Sequence, residues 1–365
     1  MHWLERVCTT MEPLREEAMA AARERLDVLT KPPGSLGRLE RLAERLSGMT
    51  GEMPPALGKK AVVVMAGDHG VCEEGVSAFP SAVTEQMVRN FLGGGAAVNV
   101  FAKHAGADVV CVDMGVAAEI AHPALLVRKI GYGTANMTKG PAMTPEQAER
   151  ALQAGVELVE RLAGEGYRLL ALGEMGIGNT TSAAALTSAL LGIAPEASVG
   201  RGTGVDDAGL ARKRDAVARA LAANGLTAGG SDAADRAAYA LEALSKVGGF
   251  ELAGMAGVCL GAALYRVPVV IDGYISTAAA LAASFLCPLT PSFLIASHRS
   301  EEPGHGLALD ALGLEPMLAL GMRLGEGTGA ALCLRIVEAG ADVLGSMATF
   351  ASAGISGQLP VEPGE

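Results

Sequence analysis

The sequence predicts an α/β fold, a doubly wound and mostly parallel sheet flanked by helices, with a smaller helical lobe attached. Three observations carry this reading. Six short apolar runs, AVVVMA (61–66), DVVCVDM (108–114), LVRKIGY (126–132), YRLLALG (167–173), VPVVIDG (267–273) and SFLIAS (292–297), alternate with longer stretches of helical spacing. Nearly every run ends in Gly, Asp, Glu, Ser or His, the residue types that gather where ligands sit at the carboxyl ends of strands. The 365 residues are 50% hydrophobic and 4% aromatic with 48 glycines, which suits a large core of small side chains and close backbone approach.

Before the first run, MHWLERVCTTMEPLREEAMAAARERL is charged and amphipathic and is expected to be helical, without the apolar stretch of a signal peptide. The helical pattern of Glu12 to Leu29 is broken by Lys31-Pro-Pro-Gly34, and Leu36, Leu39, Leu42 and Leu46 then recur at helical spacing up to the Pro54-Pro55 pair. Gly93-Gly94-Gly95 is expected to be a hinge between two helices. Leu252 to Tyr265 is the most apolar run, but its 14 residues fall short of the roughly 20 needed to cross a bilayer. Gly327 to Phe350 has helical character with no strand after it. The expected division is 1–55 as the N-terminal part of a small helical domain, 56–320 as the large α/β domain, and 321–365 as a helical segment returning to the small one.

Charge and cysteine usage narrow the function classes. A formal net charge of −11 argues against a nucleic-acid partner, because phosphate backbones are bound through surplus Lys and Arg. The six cysteines have no CxxC pair and no metal-ligand spacing, so they read as free thiols of a reducing compartment. His69, His298 and His305 show no spacing of a metal site, and no metal is expected. The expected location is cytoplasmic.

Three segments carry candidate chemistry. In LGEMGIGNTTSAAAL (172–186) a strand runs into a glycine turn with Gly176 and Gly178, and Asn179, Thr180, Thr181 and Ser182 open an Ala-rich helix. Backbone N–H groups, hydroxyls and the helix dipole together suit a phosphate. The segment lacks the Lys of GxxxxGK[ST] and the third Gly of GxGxxG. An ordinary capped helix is the competing reading. In GRGTGVDDAGLARKRDAV (200–217), Gly202 and Gly204 lie in a turn, Asp206 or Asp207 is an N-cap, and Arg212, Lys213 and Arg214 follow. These three either compensate a phosphate or form a solvated face, the better reading for Arg212 and Arg214. In RLGEGTGAALCL (323–334), Glu326 stands between Gly325 and Gly327 ahead of an apolar helix. It is either a capping carboxylate or one that faces a ligand N–H, and spacing alone does not choose.

Together with KPPGSLGRLE (31–40), AGDHGV (66–71), GGAAVNVFA (94–102), GYGTANM (131–137) and SHRSEEPGH (297–305), these segments resemble, in order, the nicotinate-nucleotide:dimethylbenzimidazole phosphoribosyltransferase family of cobalamin lower-ligand synthesis. The resemblance implies a Rossmann-like six-stranded parallel sheet, a small helical domain built from both chain ends, a cytoplasmic homodimer, and neither metal nor organic cofactor. It implies transfer of 5-phosphoribosyl from nicotinate mononucleotide to 5,6-dimethylbenzimidazole with inversion at C1′. Glu326 falls on the family's catalytic base and Glu174 on a second acidic site residue. Met175 and Leu324 fall on the benzimidazole slot, to which Phe79, Gln86 and Met87 are added. Gly176, Gly178, Asn179 and Thr180 fall on the phosphate loop, helped by Lys213 and Ser300. Gly202 and Gly204 are placed in the nucleotide site, and Asp272 is expected on ribose hydroxyls. Arg299 and Glu301 receive no role. The alternatives are a dinucleotide-dependent oxidoreductase, which predicts an acidic residue at the end of the next strand, and a noncatalytic carrier of benzimidazole or its nucleotide.

Overall fold

The computed structural model describes residues 2–226 and 235–356. All six expected runs form strands: β1 (Lys59–Gly67), β2 (Asp108–Gly115), β3 (Leu126–Val127), β4 (Tyr167–Met175), β5 (Val269–Ile271) and β6 (Leu294–Ala296). They pair in parallel in the order β3-β2-β1-β4-β5-β6 with helices on both sides. Burial on both faces explains why β1 and β4 read as continuous apolar runs. Strand order reverses between β1 and β4, so the loops after Gly67 and Met175 leave the sheet in opposite directions and open a crevice at the carboxyl edge.

LVRKIGY is a strand for two residues only. Beyond Val127 the chain keeps bonding to β2 irregularly, Arg128 N–H to Asp113 O at 2.9 Å and Ile130 N–H to Met114 O at 2.8 Å. Lys129 turns in to meet the buried Asp113 carboxylate at 3.0 Å, which breaks the alternation of a regular strand.

Contacts divide the described chain into two compact units. The larger comprises residues 1–13 and 58–334, the smaller 14–57 and 335–365. Residues 1–13 thus depart from the expected 1–55 block. The N-terminal helix is also split, into His2–Thr10 and Glu16–Asp27. Pro13 lies in the break, where its ring and missing N–H stop helical bonding. Leu4, Val7 and Met11 are buried, and the Cys8 thiol donates to Leu286 O at 3.4 Å within the larger unit. In the smaller unit Ala22, Leu26, Leu29, Ala43 and Leu344 form a core. Arg25 donates to the carbonyls of Leu344 and Met347, tying its N-terminal and C-terminal parts together.

The small-residue composition has a definite use. Pro145–Gly164 crosses Phe250–Tyr265, the helix that contains the apolar 252–265 run, so closely that a Cβ on Gly155 would overlap Gly254 O and one on Gly257 would overlap Leu152 O. Only glycine permits that approach. Gly257→Val should therefore destabilise the protein by about 2 kcal/mol or more through overpacking. Denaturant unfolding compared with Gly164→Val, which has open space at Cβ, checks it; equal stability of the two variants would refute the close crossing.

Candidate active site

The crevice at the carboxyl edge holds a cavity of 310 Å³ lined by Glu174, Glu326, Asp272, Thr180, Gly202 and Ser300 among others. Its apolar wall includes Phe79, Met87, Met175 and Leu324, of which Phe79 and Leu324 are 51% and 58% exposed, so large apolar area is available to a planar ligand.

Glu326 is the point on which the backbone geometry converges. Its φ of 63° lies in the left-handed region between Gly325 at 87° and Gly327 at 89°. A non-glycine residue there costs on the order of 1 kcal/mol, so neighbouring contacts must hold it. Three do so. Glu326 O lies against Gly173 of β4, where any Cβ would overlap it. Glu326 N–H donates to Glu174 Oε1 at 3.3 Å. Asp272, at the end of β5, accepts from Gly327 N–H at 3.2 Å and Ala330 N–H at 2.9 Å, and so caps the helix Thr328–Ser346.

The Glu326 side chain is only 8% exposed, and its Oε2 has no partner among the described residues. Burial raises its pKa and Asp272 adds to that, against the Val98 amide at the start of helix Ala97–Ala105. Glu174 is pushed up to about 8, chiefly by burial, while the Asn179 amide opposes the rise and the Asp272 carboxylate adds to it. Glu174 accepts from the Asn179 side chain and packs on Gly325, where a Cβ would overlap Oε1. Both glutamates thus hold their protons to higher pH than an ordinary carboxyl, and in both cases burial is the main cause.

A cationic cradle completes the cavity. Helix Asn179–Leu191 begins after Gly178, whose φ of 94° requires glycine and which brings no side chain to cap the helix. Lys213, 1% exposed on helix Asp207–Ala223, donates to Thr180 Oγ1 at 2.8 Å from behind the loop. Burial pulls its ammonium down to about 8, while the Glu302 carboxylate opposes the drop. Gly202 N–H donates to Glu302 Oε1 at 2.8 Å, and Arg323 lines the same wall. A buried ammonium, a helix start without a side-chain cap and hydroxyls suit a phosphate.

Of the expected site residues, Gln86, Gly178, Gly204 and Lys213 do not line the cavity. Gln86 is exposed one step around its helix from Met87, about 100° away. Gly178 backs onto Cys72, Gly204 faces a separate depression with Arg201 and Arg214, and Lys213 acts through Thr180. Asp272, expected on ribose hydroxyls, lines the cavity and at the same time accepts one backbone amide on each of its oxygens. Among the lining residues that were not expected are Tyr274, His298, Glu302 and Arg323. SHRSEE contains two of them, yet only its serine matched a pattern.

Comparison with known proteins identifies the family. A phosphoribosyltransferase family model matches residues 11–355. The nicotinate-nucleotide–dimethylbenzimidazole phosphoribosyltransferase of Chloroflexus aggregans is 52% identical over 345 residues, 94% of this chain and 95% of its own. That of Thermus thermophilus is 54% identical over 341 residues, 93% and 98% of the two chains. A crystal structure of the enzyme from Thermus thermophilus superposes with a TM-score of 0.86 at 52% identity, covering 94% of this chain and 99% of that one. A chain so similar along nearly its whole length, with its glycine-flanked glutamate and cationic cradle meeting in one crevice, belongs to the nicotinate-nucleotide–dimethylbenzimidazole phosphoribosyltransferase family.

Proposed function

We propose that this chain transfers the 5-phosphoribosyl group of nicotinate mononucleotide to 5,6-dimethylbenzimidazole, giving α-ribazole 5′-phosphate and nicotinate in the nucleotide-loop branch of cobalamin synthesis. The observation that carries this reading is the buried Glu326 carboxylate, with one oxygen unpartnered among the described residues, in the same cavity as a cationic phosphate cradle and an apolar wall. The names of the relatives at 52% and 54% identity supply the substrates. The same reading makes the protein a cytoplasmic homodimer that needs no cofactor.

The phosphate lies on Gly176, Asn179, Thr180 and Ser300, with Lys213 neutralising it through Thr180 and Arg323 adding a second cation. The base stacks on the apolar wall with its free ring nitrogen toward C1′. That nitrogen forms the new bond to C1′ as the bond to the nicotinate nitrogen breaks, and the electron pair neutralises the departing pyridinium. Attack opposite the leaving group inverts the anomeric centre. The other ring N–H passes its proton to Glu326, a step worth a factor of about 10² to 10⁴. Anchoring both reactants in one cavity contributes through orientation. Glu174 fixes the Glu326 backbone by accepting its amide.

Chromatographic detection of α-ribazole 5′-phosphate tests the reaction. Wild type should form product, and Glu326→Gln should lose about 10²-fold or more with its fold intact. No product from folded wild type would sink the assignment. Full activity in Glu174→Gln would reduce Glu174 to a structural residue.

Lys213→Met should raise KM for the nucleotide by about tenfold while changing kcat less, since a charge-assisted contact made in ground and transition states alike is lost. Steady-state kinetics with the nucleotide varied checks this. An unchanged KM would place the phosphate elsewhere.

A further inference from the structure

His298 follows β6 and lines the cavity, although only 2% of it is exposed. Its ring lies so flat on the first turn of helix Thr328–Ser346 that any Cβ on Gly329 would overlap it, which gives the third glycine of the GEGTG segment its reason. Hydrogen bonds fix the ring's orientation. The Ser297 hydroxyl donates to Asp272 O at 3.3 Å, so its oxygen accepts from His298 Nδ1–H at 3.0 Å. Asp272 Oδ1, 3.8 Å from Nδ1, favours the proton on the same side. In the neutral ring the lone pair is then on Nε2.

That nitrogen has no protein partner among the described residues. A Cβ on Gly273 would stand 3.7 Å from both Nε2 and the Ser300 Cβ, so the ring nitrogen and Ser300 of the phosphate cradle face the same point of the chain. The opposite side of the ring adjoins the helix that Glu326 precedes. A nucleotide with its phosphate at Ser300 and its C1′ near Glu326 brings its ribose past this nitrogen. Two buried groups next to the ring are already engaged by the protein. Asp272 accepts the amides of Gly327 and Ala330, one on each oxygen, and His305 is held by Ser300 N–H at Nδ1 and bonded to the Thr277 hydroxyl through Nε2. Burial also drives His305 down to about 3, so it is uncharged.

We propose that His298 is the ribose-reading residue of the site: its Nε2 accepts a hydrogen bond from a ribose hydroxyl, positions C1′ for attack and selects ribonucleotides over deoxyribonucleotides. This rests on the phosphoribosyl-transfer reading of the cavity. The orphaned acceptor, its fixed tautomer and its place beside the cradle carry it.

The test is kcat/KM for nicotinate mononucleotide and its 2′-deoxy and 3′-deoxy analogues with wild type, His298→Ala and His298→Gln. Wild type should disfavour one deoxynucleotide by at least about fivefold, the scale of one hydrogen bond. His298→Ala should lose activity on the ribonucleotide by a similar factor and discriminate by no more than about twofold, with His298→Gln restoring part of the preference. Equal use of all three nucleotides by wild type would overturn the proposal without recourse to a variant. So would an equal fractional loss on ribo and deoxy substrates in a folded His298→Ala protein, since a purely structural ring lowers both alike. Failure of wild type to turn over any nucleotide would instead defeat the reaction assignment.

Discussion

The site depends on one close backbone contact, the Glu326 carbonyl pressed against Gly173 of the central strand β4. That contact leaves no room for a Cβ at 173, and Glu326 itself sits in the left-handed region at a φ of 63°. A buried side chain from each adjoining strand fixes the turn. Glu174 on β4 accepts the Glu326 amide, and Asp272 after β5 accepts the amides of Gly327 and Ala330. The glycines at 325, 327 and 329 each meet a different demand: the Glu174 carboxylate, the Val62 side chain and β4 backbone, and the His298 ring. The motif is thus dictated by neighbours that lie far away in sequence, Val62, Gly173, Glu174, Asp272 and His298.

Burial then turns this geometry into chemistry. Glu174 is more strongly desolvated than a surface carboxyl and is held near 8, while Glu326 keeps an unpartnered oxygen and the help of the Val98 amide. Deeper in the same unit His69 pairs with Glu251 at 2.6 Å, Glu251 raising its pKa against burial. His69 also lies against Gly176, so a buried pair backs the turn that begins the phosphate cradle. His69 and Glu251 lie outside the cavity lining and hold its wall in place, and preorganised polar groups cost no reorientation during reaction.

The sheet was legible because its strands are buried on both faces and so appear as unbroken apolar runs such as AVVVMA and YRLLALG. Glu326, Glu174 and the cradle were legible because glycine pairs and a strand-to-helix turn are local signals. What remained hidden is nonlocal. Asp272 resembles any acidic strand end until its partners 55 and 58 residues later are known. A lone histidine without metal spacing carries no signal, so His298 emerged only from the ring's contact with Gly329. Gln86 and Met87 are adjacent in sequence yet point to different sides of one helix, a distinction that needs the helix phase.

The proposed chemistry stands or falls on the ionisation of Glu326. Titration of carboxyl-¹³C-glutamate-labelled protein by NMR, with the Glu326 resonance identified by its loss in Glu326→Gln, reports it directly. The expected midpoint in the free protein lies above the ordinary glutamate value of about 4.3, with the carboxylate form growing as pH rises. The resonance is also expected to shift when dimethylbenzimidazole binds. A midpoint at or below about 4.3, together with a resonance indifferent to the base, would describe an exposed capping carboxylate and contradict its role as the proton acceptor.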